Sequence, residues 1–237
     1  MNLLLLSNST NFGEEYLSYP KQTIKEFLDG IGNNIIFIPY AGVTFSWDEY
    51  TQKVNDALAE IQVNVLGIHT TNDPVKSITE ADAIMVGGGN SFQLLNLLYK
   101  NGLVEVIKEK ISSGTPYIGW SAGSNMACPT LKTTNDMPVV EPPSFNALDL
   151  ISFQINPHYT EAVIPNHGGE SRELRILEFI EANKEMVVVG LPEGMIIQLR
   201  NGEYELIGGK EVKIFKHGLN PYFIHSSKEL NLVLSES

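Results

Sequence analysis

Short apolar runs rich in β-branched residues alternate along this chain with longer stretches whose apolar positions recur every three or four residues. The runs read as strands over residues 3–6, 35–38, 63–68, 83–86 and 117–118, and the longer stretches as helices over residues 23–28, 48–60, 92–99 and 104–111. That alternation predicts an α/β fold built on a mostly parallel, doubly wound sheet. Turn-forming residues follow the strands directly: Pro39-Tyr40-Ala41-Gly42 after the second and Gly87-Gly88-Gly89-Asn90 after the fourth. In open parallel sheets, ligands sit beyond the C-terminal strand ends, so the functional edge is expected there.

Beyond residue 125 the pattern changes to a long segment holding Pro129, Pro138, Pro142 and Pro143, which neither helix nor central strand tolerates for long. We expect it to form a loop that walls a pocket. A helix over residues 171–182 and a strand over 186–189 follow. Asn201-Gly202 then reads as a tight hairpin turn between residues 195–199 and 203–207. The C-terminal third is thus expected to add antiparallel strands to one sheet edge. A length of 237 residues suits one α/β domain over residues 1–237.

Composition narrows the function classes. With 43% hydrophobic and 19% charged residues, no part of the chain is polar enough to stay unfolded. Sixteen Lys and Arg against 28 Asp and Glu leave a net charge of −12, which opposes binding to a phosphate backbone, so nucleic acid is not an expected partner. Met1 to Leu6 is apolar but too short for a signal peptide core, and no segment is long enough to span a bilayer. The single cysteine, Cys128, excludes an internal disulfide framework. These features predict a cytoplasmic protein without a membrane partner. Asn8-Ser9-Thr10 matches a glycosylation acceptor, to which no role is assigned.

Gly119-Trp120-Ser121-Ala122-Gly123 carries the chemistry. A G-x-S-x-G run between a short strand and a helix forms a sharp turn that exposes the serine, with neighbours small enough to avoid collision. Backbone N–H groups at the helix start, beginning with Ala122, are candidate donors to an oxyanion formed beside Ser121. Gly88 and Gly89, at the end of another strand, are candidates for a second donor. The glycine cluster lacks the G-x-G-x-x-G spacing of a dinucleotide loop, and no cofactor is expected.

A serine nucleophile needs a base, and there are five histidines. His69 follows an early strand, while His217 and His225 lie in a polar tail where surface histidines are usual. His158 follows an apolar strand in Gln154-Ile155-Asn156-Pro157-His158, where Pro157 forces Asn156 to extend and makes a rigid mount. His158 is therefore the first choice and His167 the second. No pair has metal-binding helical spacing, so no metal is expected. Two acids compete to orient the base. Asp136 follows the elbow in a loop, and Glu193 follows the apolar run 187–192 at a rigid strand end.

With these residues in view, the chain resembles peptidase E, the aspartyl dipeptidase family. The likeness runs along nearly the whole sequence and includes Leu3 to Thr10, Val86 to Asn90, Tyr117 to Gly123, Thr133 to Pro138, Gln154 to His158 and Gly190 to Gly194. The resemblance implies a fold like the class I glutamine amidotransferases (flavodoxin-like), and hydrolysis of dipeptides with N-terminal aspartate. It also implies a Ser121-His158-Glu193 triad, leaving Asp136 to hold the site together or touch substrate. Amidotransferases on a similar scaffold carry cysteine at the elbow, whereas Cys128 lies outside it. A cyanophycinase-like isoaspartyl peptidase and a non-catalytic small-molecule binding protein are the alternatives.

An enzyme of net charge −12 that takes small acidic dipeptides needs a local cationic site. Arg172 and Arg175, two of only three arginines, fall on one helical face near a helix start, and Asn90 is a further candidate substrate contact. The competing role for the arginines is surface pairing with Glu170, Glu173 and Glu178. Exclusion of longer peptides would come from the Cys128–Pro143 loop or from a homodimer partner.

Overall fold

A computed structural model describes residues 1–162 and 168–235. Strands β1 (Leu3–Leu6), β2 (Ile35–Ile38), β3 (Val65–Gly67), β4 (Ala83–Val86) and β5 (Tyr117–Trp120) pair in parallel in the order β3-β2-β4-β5-β1. Their side chains alternate between two apolar layers, as a period of two requires. Leu3 and Leu5 face one layer with Ile36, Ile38, Ile84 and Val86, while Leu4 and Leu6 face the other with Ile35, Phe37, Ala83 and Met85. Both faces are covered, which is why β1 is leucine throughout with every residue at 0% exposure.

Helices α1 (Lys21–Phe27) and α2 (Trp47–Leu58) cover the second layer with Ile24, Phe27, Tyr50, Val54 and Leu58. Helices α3 (Pro74–Glu80), α4 (Ser91–Lys100) and α5 (Leu103–Ser112) cover the first. Sequence periodicity misses α3, which is short and owes its start to an Asp73 cap and Pro74 in the first turn. Helix α2 opens with a full capping box between Ser46 and Glu49. A short helix α6 (Ala122–Ala127) leaves β5 at the elbow.

The C-terminal third departs from the expected single edge. Strands β6 (Gln154–Pro157) and β7 (Val187–Leu191) pair in parallel and, with β10 (Val212–Lys216) and β11 (Tyr222–Ile224), make a separate sheet ordered β11-β10-β7-β6. Among the described residues, only β8 (Ile196–Arg200) and β9 (Glu203–Ile207) extend the large sheet, antiparallel beside β1. Asn201 and Gly202 form their turn with φ of 53° and 84°, the doubly positive geometry of a tight hairpin. Helix α7 (Arg172–Ala182) packs Ile176 and Ile180 on Val188 and Phe215 of the small sheet. The segment read as a polar tail instead holds β10, β11 and helix α8 (Ser227–Ser235), with Ile214, Phe215 and Leu230 fully buried.

The two sheets share one apolar cluster, in which Val189, Leu191 and Ile214 meet Leu3, Leu5 and Ile197. Ser7, just past β1, ties them at the functional edge: its hydroxyl donates to Leu191 O at 2.8 Å and accepts from His158 N–H at 2.9 Å. Among the described residues, no helix is long and apolar enough to cross a membrane.

Candidate active site

The elbow is a strained turn fastened on every side. Ser121 has φ 53° and ψ −110°, a conformation costing about 1–3 kcal/mol for a residue with a side chain. Ser124 holds it by donating to Leu6 O at 2.6 Å and Gly119 O at 2.9 Å, while Ser121 N–H donates to Leu6 O at 3.1 Å. A Cβ on Gly119 would lie 2.5 Å from Gly123 O, and one on Gly123 would lie 2.2 Å from Val86 O. Only glycine lets these backbones approach so closely.

The glycine cluster after β4 passes beside the serine, since a Cβ on Gly88 would stand 3.1 Å from Ser121 Cβ. Tyr50 donates its hydroxyl to Gly88 O at 2.9 Å, and Trp120 Nε1–H donates to that hydroxyl at 3.1 Å. In a trans peptide the N–H points opposite to the carbonyl, so this pair turns Gly89 N–H away from Tyr50. Among the described residues, the N–H groups of Gly88, Gly89 and Ala122 donate to no partner. Free donors on both sides of Ser121 meet the requirement for stabilising an oxyanion.

His158 and Glu193 follow neighbouring parallel strands whose register pairs Pro157 with Leu191. His158 Nε2 lies 3.0 Å from Ser121 Oγ, and His158 Nδ1 lies 2.7 Å from Glu193 Oε1. With the carboxylate accepting, Nδ1 carries the proton and Nε2 accepts from the serine hydroxyl. His158 sits at φ 53°, in the left-handed region, a feature the sequence does not announce. Its backbone is anchored by Ser7 and by Arg172 Nη1, which donates to Pro157 O at 3.2 Å and to His158 O. Glu193 is held by Lys210 Nζ donating to its carbonyl at 2.8 Å and by Gly194 N–H donating to Asn8 Oδ1 at 2.8 Å.

The remaining sequence candidates separate. Asp136 does not reach His158. Its Oδ2 accepts from the Ser91 N–H at 2.7 Å and the Ser91 hydroxyl at 2.5 Å, tying the proline-rich loop to the start of α4. Asn90 is occupied with the fold rather than open to a ligand: its side-chain oxygen caps α4 at Gln93 N–H, and its amide donates to Met137 O at 2.8 Å. Arg172 is half-buried beside His158, Glu193 and Lys210, whereas the Arg175 side chain is 68% exposed, 3.9 Å from Glu170. Burial lowers the Arg172 pKa from its ordinary value and Glu193 opposes that shift, so the group stays charged.

The expected wall from the proline-rich loop is displaced. Residues 132–136 line a small cavity of about 140 Å³ with Asn156, Arg172 and Arg175, not the hollow that opens on Ser121. The loop braces β6 instead: Thr133 donates to Ile155 O at 3.0 Å and Asn135 to Pro157 O at 2.8 Å. His69, His217 and His225 pair with Asp48, Glu181 and Glu211, and His167 lies outside the described residues. Sequence reasoning missed Ser7, Tyr50 and Lys210, whose roles depend on elements remote in the chain.

Residues 3–207 match the family described as Peptidase family S51. The chain is 49% identical to a peptidase E of Nostoc sp. over 97% of its length and 96% of that protein. It is 50% identical to a peptidase E of Salmonella typhimurium, covering 92% of this chain and 95% of the relative. A crystal structure described as a putative peptidase E protein from Listeria monocytogenes superimposes with a TM-score of 0.64 at 26% identity, over 87% of this chain and 98% of that one. The crystal structure of a peptidase from an acI-B1 Actinobacterium, at 18% identity and a TM-score of 0.68, shares the fold over 94% of this chain and 93% of its own.

Proposed function

This chain belongs to peptidase family S51, and from that membership we propose that it is a serine dipeptidase that cuts after an N-terminal aspartate. The observation that carries this reading is the unbroken sequence Ser121 Oγ, His158 and Glu193, at 3.0 Å and 2.7 Å, beside free N–H groups of the glycine cluster.

Ser121 Oγ attacks the scissile carbonyl while His158 Nε2 accepts its proton. Glu193 keeps the imidazole in the required tautomer and stabilises the imidazolium. The N–H groups of Gly88, Gly89 and Ala122 receive the oxyanion, each such donor being worth about 2.7–4 kcal/mol. Collapse of the tetrahedral intermediate breaks the C–N bond, and His158 returns the proton to the departing amine. Water, activated by the same histidine, then hydrolyses the aspartyl ester on Ser121.

Arg172 is the residue we assign to the aspartate side chain. Arg172 lines the hollow that begins at His158; its Nη1 is engaged with Pro157 O and His158 O, and the other guanidinium N–H groups remain to meet a carboxylate. Asp136 and Asn90 support the oxyanion loop through α4. Comparing Asp-Leu, Glu-Leu and N-acetylated Asp-Leu as substrates, with fluorophosphonate labelling of Ser121, tests the reading. Equal turnover of all three, or full activity after labelling, overturns it.

A further inference from the structure

His158 stands between two hollows. One contains Arg172, Glu193 and Lys210. The other, of about 580 Å³, reaches Ser121 and the glycine cluster and is walled by Tyr16, Phe45 and Tyr50, with Glu49 and Lys53 at its edge and Lys53 the only lysine or arginine among its described lining residues. Tyr50 and Lys53 are one turn apart on α2, so one helical face presents both an aromatic wall and a charge to this hollow.

Lys53 has no carboxylate partner among the described residues, although Lys21, Lys108 and Lys213 each hold one. Its ammonium rests 4.2 Å from the centre of the Tyr16 ring. Glu49, one turn earlier and also on the lining of this hollow, has its carboxylate engaged at the helix start, where Oε2 accepts from Ser46 N–H at 3.0 Å, rather than paired with Lys53. In a chain of net charge −12, an unpaired lysine on the wall of the hollow that opens on the nucleophile is a prepared site for an anion.

We propose that Lys53 binds the C-terminal carboxylate of the dipeptide, with the second residue's side chain against Tyr16, Phe45 and Tyr50. The assignment rests on the peptidase reading of Ser121. A dipeptide's carboxylate lies one Cα beyond the scissile nitrogen, within reach of a flexible lysine arm. In a longer peptide a neutral amide takes that position and the chain runs on into the lysine, so Lys53 selects for length. The aromatic walls favour an apolar second residue.

Binding to Ser121→Ala protein by calorimetry tests this, because no turnover intervenes. Asp-Leu is expected to bind about fivefold more tightly than Asp-Leu amide, the upper scale of an ion pair made by an exposed lysine. Adding Lys53→Met should bring the ratio close to one by weakening the acid alone, and Lys53→Arg should keep most of it. A ratio that survives Lys53→Met, or that is absent with Lys53 in place, overturns the assignment. Equal weakening of acid and amide also overturns it and makes the aspartate side chain the partner of Lys53. Failure of both peptides to bind removes the Asp-X reading together with this one, whereas binding without discrimination removes Lys53 alone.

Discussion

His158 and Glu193 face each other because β6 and β7 run in parallel with Pro157 opposite Leu191, so that the two chains leave the sheet side by side with Nδ1 and Oε1 2.7 Å apart. A shift of one residue in that pairing would turn the side chains to opposite faces. The contact is therefore a product of sheet register, reinforced by the Ser7 hydroxyl bridging Leu191 O and His158 N–H.

Glu193→Gln should lower kcat by about 10⁴-fold, the scale seen when the orienting acid of another serine protease is amidated and the histidine adopts the wrong tautomer. Asp136→Asn should act on stability instead, by about 1–3 kcal/mol, because it weakens charge-assisted bonds to Ser91. Steady-state kinetics and denaturant unfolding of both variants check the division. A kcat collapse in Asp136→Asn with Glu193→Gln active reverses the roles.

Ser121→Ala and His158→Ala should each abolish detectable hydrolysis of Asp-Leu, and the double variant should be no slower than either, since the pair acts as a unit. Ser121→Ala should also relieve no backbone strain, because alanine carries the same Cβ at φ 53°. Single-turnover rates and thermal melts of the three proteins test both statements.

Arg172→Met should raise KM for Asp-Leu more than tenfold and lower kcat, since its guanidinium also holds Pro157 O and His158 O. Arg175→Met should change stability by no more than about 0.5 kcal/mol and leave kinetics near wild type, as its side chain is 68% exposed. Selectivity for Asp-Leu over Asn-Leu separates charge recognition from bracing. If Arg172→Met leaves that ratio unchanged, the residue only braces the loop.

Cys128 should be inert in the folded enzyme. It is fully buried, and burial pushes its thiol up to about 12, so the nucleophilic thiolate is absent at neutral pH. Iodoacetamide should leave activity intact and label Cys128 only after unfolding. Rapid inactivation under native conditions, traced to Cys128 by mass spectrometry, would contradict this.

Much of the first half of the fold is legible in the sequence because its signals are local. A run such as Leu3 to Leu6 is apolar at every position because both faces of β1 are covered, and Gly119 is required by a contact within the elbow, with Gly123 O, although Gly123 itself is required by the remote Val86 O and is legible only through the G-x-S-x-G spacing. The Asn201-Gly202 hairpin is equally local, two residues joining two adjacent strands. Helix α3 and strand β11 are too short for periodicity to mark them, while β10 is interrupted by Lys213 and ends on Lys216 in a polar surrounding; they form because tertiary packing buries residues such as Ile78 and Ile214.

The sequence by itself determined the serine elbow, the two glycine-rich strand ends, and a histidine on a rigid mount after an apolar run. Tertiary structure alone decided that β6 and β7 pair in a sheet of their own, that Glu193 rather than Asp136 meets His158, and that Asn90 is occupied by the fold. Tertiary structure likewise set Tyr50, 38 residues before Gly88 in the chain, to orient the loop beside Ser121. The physical reason is range. Turn chemistry and strand burial are written in neighbouring residues, whereas the partner of a carboxylate or a hydroxyl depends on strand register and helix packing across the whole chain.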